Sequence, residues 1–114
     1  MKNINELLGD LLNNAKNFLF TTIESVIEDK ELSYEDVMKY FLEHQGDDAR
    51  IAKGAMIRAN DEKGYVILTQ VFLDEKNELV CGTDGAPLGR KITVPKLDAE
   101  LVKLFKNNNL VVVS

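Results

Sequence analysis

The sequence predicts a single α+β domain spanning residues 1–114, and three observations support this fold class. Two helical hydrophobic patterns open the chain, several strand-like segments joined by short polar turns follow, and a helical segment lies near the end. A length of 114 residues suits one domain. We expect an N-terminal helical hairpin, a four- to five-stranded mainly antiparallel sheet, a C-terminal helix and a short terminal strand. Turns this short cannot join parallel neighbours.

Residues 65–73 are predicted to form the central strand of the sheet. Both of their alternating sides are largely apolar, so neither side suits exposure to water. We therefore expect this strand to lie inside the sheet with helices packed on it. One side carries Tyr65, Ile67, Thr69, Val71 and Leu73, and the other carries Val66, Leu68, Gln70 and Phe72.

Residues 3–28 carry apolar side chains at three- and four-residue steps, which predicts one long amphipathic helix capped by Asn3. The apolar stripe of this helix must be covered, either by the sheet or by a second copy of the chain. In the second case the helix would form the interface of a homodimer. The stripe consists of Ile4, Leu7, Leu8, Leu11, Leu12, Ala15, Phe18, Leu19, Ile23, Val26 and Ile27.

A second helix is predicted to begin after the N-cap Ser33 and to end before Gly46, which would take a left-handed conformation. With the first helix it would form the helical hairpin. Its apolar face would consist of Tyr34, Val37, Met38, Phe41 and Leu42.

The pattern of the rest of the chain predicts strands followed by a helix. Strands are predicted at 49–59, 78–82 and 90–94, and the small residues of the first suggest that a helix approaches it closely. Asp98 can cap a helix that runs to about residue 106. Leu110–Val113 has the composition of a short terminal strand.

The charge of the chain is unevenly distributed. Residues 1–48 contain eleven acidic residues and four lysines, whereas residues 49–114 contain eight acidic and ten basic residues. An acidic helical part is suited to a basic protein partner. An inhibitor or immunity protein that blocks a basic, nuclease-like protein would be one example of a protein that binds in this way. The net charge of −5 argues against a nucleic-acid partner.

The alternative function is a ligand- or nucleic-acid-binding domain that uses the arginine-bearing side of the sheet. The loop 83–89 is rich in Gly and Pro and could form a small anion-binding nest, although it lacks the spacing of a phosphate loop. A long hairpin turn is the other explanation of this loop. The candidate interaction or anion-binding residues are Arg50, Arg58, Thr83, Asp84, Gly85, Arg90 and Lys91.

Signals for catalysis or cofactors are weak in this sequence. His44 is the only histidine and Cys81 the only cysteine, so a triad or a histidine-based metal site would have to use them. We assign no catalytic, cofactor-binding or metal-ligating residue and expect no enzymatic activity. Residues 29–40 do not match a calcium-binding loop, because Tyr34 and Tyr40 occupy the positions that require Gly and Glu.

The lone cysteine allows no internal disulfide, and we find neither a signal peptide nor an apolar run long enough to span a membrane. We therefore expect a cytoplasmic protein without membrane contact. The sequence predicts a small interaction or regulatory module. Its partner would be another protein or a second copy, bound through the acidic helical part or the long first helix.

Overall fold

The computed structural model describes residues 25–113, which form an α+β fold with a five-stranded mixed sheet and two helices. The strands are β1 (Ser25–Ile27), β2 (Lys53–Asn60), β3 (Val66–Leu73), β4 (Gly89–Val94) and β5 (Leu110–Val113). The helices are α1 (Tyr34–His44) and α2 (Ala99–Phe105).

The strands are arranged in the order β1-β4-β3-β2-β5, so β3 is the central strand, as the sequence predicted. Three of the pairings are antiparallel, and the fourth, between β1 and β4, is parallel. The sheet is therefore mixed. Antiparallel pairing joins β2, β3 and β4, but the predicted strand 78–82 does not lie between β3 and β4, and β5 pairs with the other edge of β2.

The prediction of a helix up to residue 28 is wrong at its end, because Ser25–Ile27 forms strand β1. Val26 and Ile27 are β-branched and favour a strand wherever an edge such as that of β4 is available. The remainder of that predicted helix, and with it the helical hairpin, lies outside the described residues.

The two described helices begin where the sequence predicted. The Ser33 hydroxyl accepts a hydrogen bond from the Asp36 N–H at 3.1 Å, and Asp98 accepts one from the Leu101 N–H at 2.9 Å. The prediction of a left-handed Gly46 is wrong. Gln45 continues the helical backbone of α1, and the Asp47 N–H then donates to the His44 carbonyl at 3.0 Å.

The predicted strand 78–82 forms only isolated bridges, from Leu79 to Leu73 and from Cys81 to Pro87. The cause is that β4 already occupies the edge of β3 up to Val71, which leaves only the end of β3 for pairing. The strand predicted at 49–59 begins late, at Lys53, because residues 48–51 form a turn.

The two faces of the sheet carry separate apolar clusters. Within residues 25–113, both helices pack against one face, which we call the helix face, through Val37 and Phe41 of α1 and Leu101 and Phe105 of α2. The described members of the other cluster come from strands and the segment after β3, with no residue from either helix. They are Ala55, Ile57, Val71, Leu73, Leu79, Leu110 and Val112.

Gly54 of β2 allows α1 to approach the sheet closely, which confirms the expectation drawn from the small residues of this strand. A Cβ atom at this position would lie 2.5 to 3.0 Å from three ring atoms of Phe41. Phe41 also packs edge-on against Phe72, with ring centroids 5.7 Å apart. The bare backbone of Gly54 thus provides the space into which the main anchor of α1 fits.

Gly54→Ala should lower the free energy of unfolding by about 1–3 kcal/mol, because the new methyl group would displace the Phe41 ring. The matched control is Gly46→Ala, since no atom lies within 4 Å of the added methyl group there and the backbone has no positive φ. Urea unfolding followed by circular dichroism would measure both. Equal stabilities of the two variants would contradict this account of α1 packing.

Candidate interaction site

Helix α1 presents one side to solvent, and we call its exposed side chains the α1 surface. The helix buries Val37 and Phe41, which lie four residues apart and so point to the same side. Leu42 was predicted to belong to the apolar face of the helix, but its side chain is 66% exposed. The α1 surface consists of Glu35, Asp36, Lys39, Leu42 and Glu43.

The α1 surface belongs to a strongly acidic stretch of the chain. Eight acidic residues and two lysines lie between positions 28 and 48. Lys39 pairs with Glu43 at 3.8 Å, an exposed ion pair of the kind that contributes little to stability. Glu35 and Asp36 have no ion pair within residues 25–113 and lie in the first turn, where the helix dipole favours acids. The α1 surface is therefore net negative.

An apolar groove of about 320 Å³ runs along one side of α1, towards β2 and β5. Leu42 forms part of its rim, and Gly54 contributes bare backbone. This apolar groove places hydrophobic surface directly beside the acidic side chains of α1. Its apolar lining residues are Met38, Phe41, Leu42, Ile51, Ala52, Phe72 and Val113.

A second, charged groove of about 270 Å³ lies on the opposite side of α1, towards β1 and β4. Three acidic and three basic side chains line it, so it carries no net charge. The acidic residues are Glu28, Asp36 and Glu43, and the basic ones are Lys30, Lys39 and Arg90. Asp36, Lys39 and Glu43 belong to both the α1 surface and this groove, where Lys30 and Arg90 add the charges that balance the two carboxylates.

Arg90 is the centre of a polar network beneath α1. Its Nε donates to Oε1 of Gln70 at 2.7 Å, and Nε2 of Gln70 donates to the Val37 carbonyl at 3.0 Å. The guanidinium carbon of Arg90 lies 4.3 Å from the centroid of the Tyr40 ring, a cation–π contact. Gln70 is fully buried. Since both ends of its amide are hydrogen-bonded, this network fixes α1 on β3 and β4.

Burial shapes the electrostatics of this network. Desolvation lowers the pKa of Arg90, while the charges of Tyr40, Asp36, Glu28 and Glu43 act in the opposite direction. Burial also raises the pKa of Tyr40, against the effect of the Arg90 cation. Arg90 makes no ion pair within residues 25–113, so its charge is balanced over distance by the surrounding carboxylates.

Arg50 and Arg58, both predicted site residues, have structural contacts. Nη2 of Arg50 lies 2.7 Å from Oδ2 of Asp48 and donates to the Cys81 carbonyl at 2.8 Å, which ties the turn before β2 to the segment after β3. Nη2 of Arg58 donates to the Asn108 carbonyl at 2.9 Å. Its guanidinium lies over the ring of Phe105 at the end of α2.

The other predicted site residues lie apart from these arginines. Thr83, Asp84 and Gly85 form an exposed turn in which Oδ1 of Asp84 accepts from the Ala86 N–H at 3.0 Å and Gly85 has a φ of 82°. Lys91 follows Arg90 in β4 and is buried on the opposite face of the sheet. The structure therefore does not gather the seven residues into one site.

His44 and Cys81 have separate surroundings. Nδ1 of His44 lies 2.7 Å from Oδ2 of Asp47, and Sγ of Cys81 lies 3.9 Å from the Leu79 carbonyl. Among the residues that the structure describes, no group of three His, Cys, Asp or Glu side chains could hold a metal ion. No helix in that part of the chain is long and apolar enough to cross a bilayer.

Sequence reasoning missed the roles of Gln70, Tyr40 and Leu42. Gln70 gave a usable signal, because a single amide in an apolar strand must find hydrogen-bond partners when buried. The sequence did not indicate that Leu42 is exposed, since a leucine at the edge of the apolar stripe of a helix can be either buried or exposed.

Comparison with known proteins adds no functional information. No protein-family model matches the chain, and no curated protein or solved structure matches it.

Gln70→Leu should lower the free energy of unfolding by about 1–3 kcal/mol, because it removes the acceptor of the partly buried Arg90 Nε and one donor to α1. The neighbouring Thr69→Val is the control, since the buried Thr69 hydroxyl has no hydrogen-bond partner among residues 25–113. That variant should be neutral or slightly stabilising. Urea denaturation would measure both, and a Gln70→Leu protein as stable as wild type would exclude an anchoring role for the network.

Hydrogen bonds from Arg50 lower the pKa of Asp48 from its ordinary value of 3.8 to about 2. This carboxylate therefore stabilises the fold above pH 4, and the contribution is lost as the pH falls through 2. Arg50→Gln should raise the pKa of Asp48 only part of the way, because the backbone N–H of residue 50 still donates to it. NMR titration of the carboxyl carbon would measure this shift, and Arg58→Gln, the control, should leave it unchanged.

Proposed function

We propose that this protein is a non-enzymatic interaction module that binds a basic protein partner through the α1 surface. The observation that carries the proposal is Leu42, a largely exposed leucine among the acidic side chains of α1 and on the rim of the apolar groove. Leu42 is the one apolar side chain on the otherwise charged exposed side of α1, and it gains no hydrophobic stabilisation unless a partner covers it.

The chemistry of the surface indicates what the partner would offer. The carboxylates of Glu35 and Asp36, which form no ion pair within residues 25–113, would attract lysine and arginine side chains and accelerate association. The apolar groove would accept one hydrophobic side chain of the same partner beside Leu42. An apolar centre with a charged rim is the usual arrangement of a protein interface. A basic, nuclease-like protein is one class of partner with this character.

A second candidate function is the binding of a small anionic ligand in the charged groove. Arg90 favours this alternative, because it is a partly buried cation that makes no ion pair within residues 25–113. The lining of the groove weighs against it, since Glu28, Asp36 and Glu43 oppose an incoming anion. We therefore place this function second.

A lysine-rich amphipathic peptide is a suitable probe of the proposed function, with amide chemical shifts in NMR as the readout. It should shift the amides of α1 and of the apolar groove. Glu35→Gln combined with Glu43→Gln should weaken binding roughly threefold to tenfold, because exposed charges contribute modestly at an interface. The matched control is Glu75→Gln combined with Glu78→Gln, two exposed acids in the turn after β3, which should leave the affinity unchanged.

The same titration distinguishes the alternatives. The shifts at α1 should decrease as salt is raised to about 150 mM, because exposed charges are screened over roughly 8 Å there. Leu42→Ala should weaken binding without lowering stability. Absence of any shift at low salt would contradict the proposal. A single-stranded oligonucleotide that instead shifts the amides around Arg90 would support anion binding.

A further inference from the structure

Strand β5 lies at one outer edge of the described sheet and lacks the usual features that protect such a strand. Within residues 25–113 it pairs with β2 alone. It consists of Leu110, Val111, Val112 and Val113, all of which are partly exposed. Edge strands usually carry a lysine, a proline or a bulge that prevents another strand from adding to them. β5 carries none of these, so it is suited to pairing with a further strand.

The hydrogen-bond pattern shows which backbone groups of β5 point outwards. The Arg58 N–H donates to the Asn109 carbonyl at 2.8 Å, so these residues form a hydrogen-bonded pair of the antiparallel ladder. Such pairs alternate with pairs that make no hydrogen bond. In the register of β2 and β5, Val111 therefore bonds to β2. The N–H and carbonyl groups of Leu110 and Val112 point away from β2, towards the outer edge.

The side chains of β5 would gain cover on both faces of the sheet from an added strand. Val111 and Val113 pack against the apolar cluster of the helix face, and Leu110 and Val112 pack against the cluster on the opposite face. Each of these side chains still keeps part of its surface in water. A further strand with apolar side chains would extend both clusters and remove that surface from water.

The charges around β5 favour a second copy of the chain as the source of this strand. The chain has a net charge of −5, so two copies repel each other wherever their acidic residues meet. Residues 101–113 contain two lysines and no acidic residue. The other outer strand of the described sheet, β1, is followed directly by Glu28 and Asp29, which would oppose self-pairing there. β5 also offers no carboxylate to the basic partner proposed for α1.

We propose that β5 pairs in antiparallel orientation with β5 of a second copy, which joins the two sheets into one in a two-fold symmetric dimer. With Val111 at the two-fold axis, Leu110 of each copy lies opposite Val112 of the other and exchanges both backbone hydrogen bonds with it. This register keeps the helix faces of both copies on the same side. The dimer does not depend on the proposed function, since the α1 surface contains no residue of β5.

Analytical ultracentrifugation of the full chain tests the dimer. Because one short strand from each copy forms the interface, the wild-type protein should change from monomer to dimer as its concentration rises. Val112→Pro should weaken self-association roughly tenfold or more, because it removes only an outward N–H, which an edge strand can spare. Val112→Thr keeps this N–H and is the matched control. A wild-type protein that stays monomeric at every concentration, or a Val112→Pro protein that dimerises as wild type does, would overturn the proposal.

A pair of charged variants tests the register, and it remains decisive if Val112→Pro fails to fold. The two Val111 Cα atoms would lie about 4.5 Å apart across the axis. Val111→Lys and Val111→Glu should each be monomeric alone, because like charges would face each other, and an equimolar mixture should form the dimer again. The same two changes at Val102, which is 49% exposed on α2, should leave wild-type dimerisation unchanged. A mixture of the Val111 variants that stays monomeric would overturn the proposal.

Discussion

The burial of β3 on both of its faces is the constraint on which the rest of the structure depends. Leu68 and Phe72 are buried on the helix face, and Val71 and Leu73 are buried on the opposite face of the sheet. Each such side chain is worth roughly 1.5–3 kcal/mol when removed from water. Because a domain has a net stability of only about 5–15 kcal/mol, neither face can be left open. A strand of this kind must be central, and it requires cover from two directions.

The position of the α1 surface is set by the way in which the chain covers β3 on the helix face. The segment that begins with β1 continues beside residues 91–98: the Leu32 N–H donates to the Lys96 carbonyl at 3.1 Å, and the Asp98 N–H donates to the Leu32 carbonyl at 2.9 Å. Both segments then turn into helices. The carboxylate of Asp98 accepts from the N–H groups of Tyr34 and Leu101, so one side chain serves the starts of α1 and α2. This shared cap and Gln70 together orient α1, which leaves Leu42 outward.

The features of this fold that depend on neighbouring residues could be predicted from the sequence. Those that depend on pairing between distant residues could not. The period of β3, the caps Ser33 and Asp98 and the composition of β5 are properties of neighbouring residues, and the structure confirms them. The strand β1 has three residues, and its partner β4 lies more than sixty positions away. Its sequence also continues the helical stripe before it, so periodicity favoured the wrong structure. The α1 surface was only partly predictable: its acidic character follows from composition, but the exposure of Leu42 depends on how α1 packs on the sheet, which its own sequence does not determine.

The three arginines show why charge totals do not locate a binding surface. Residues 49–114 carry a net positive charge, yet Arg50 pairs with Asp48, Arg58 binds carbonyl groups at the end of α2, and Arg90 lies under Tyr40. Each guanidinium contacts protein groups, so the positive charge is spread among separate places. The carboxylates of Glu35 and Asp36 form no ion pair with a basic residue in the described part of the chain, although the charge of Asp36 acts on Arg90 over distance. The asymmetry that matters for recognition is therefore between cations held by the fold and anions presented by α1, and it favours a partner that supplies the missing positive charge.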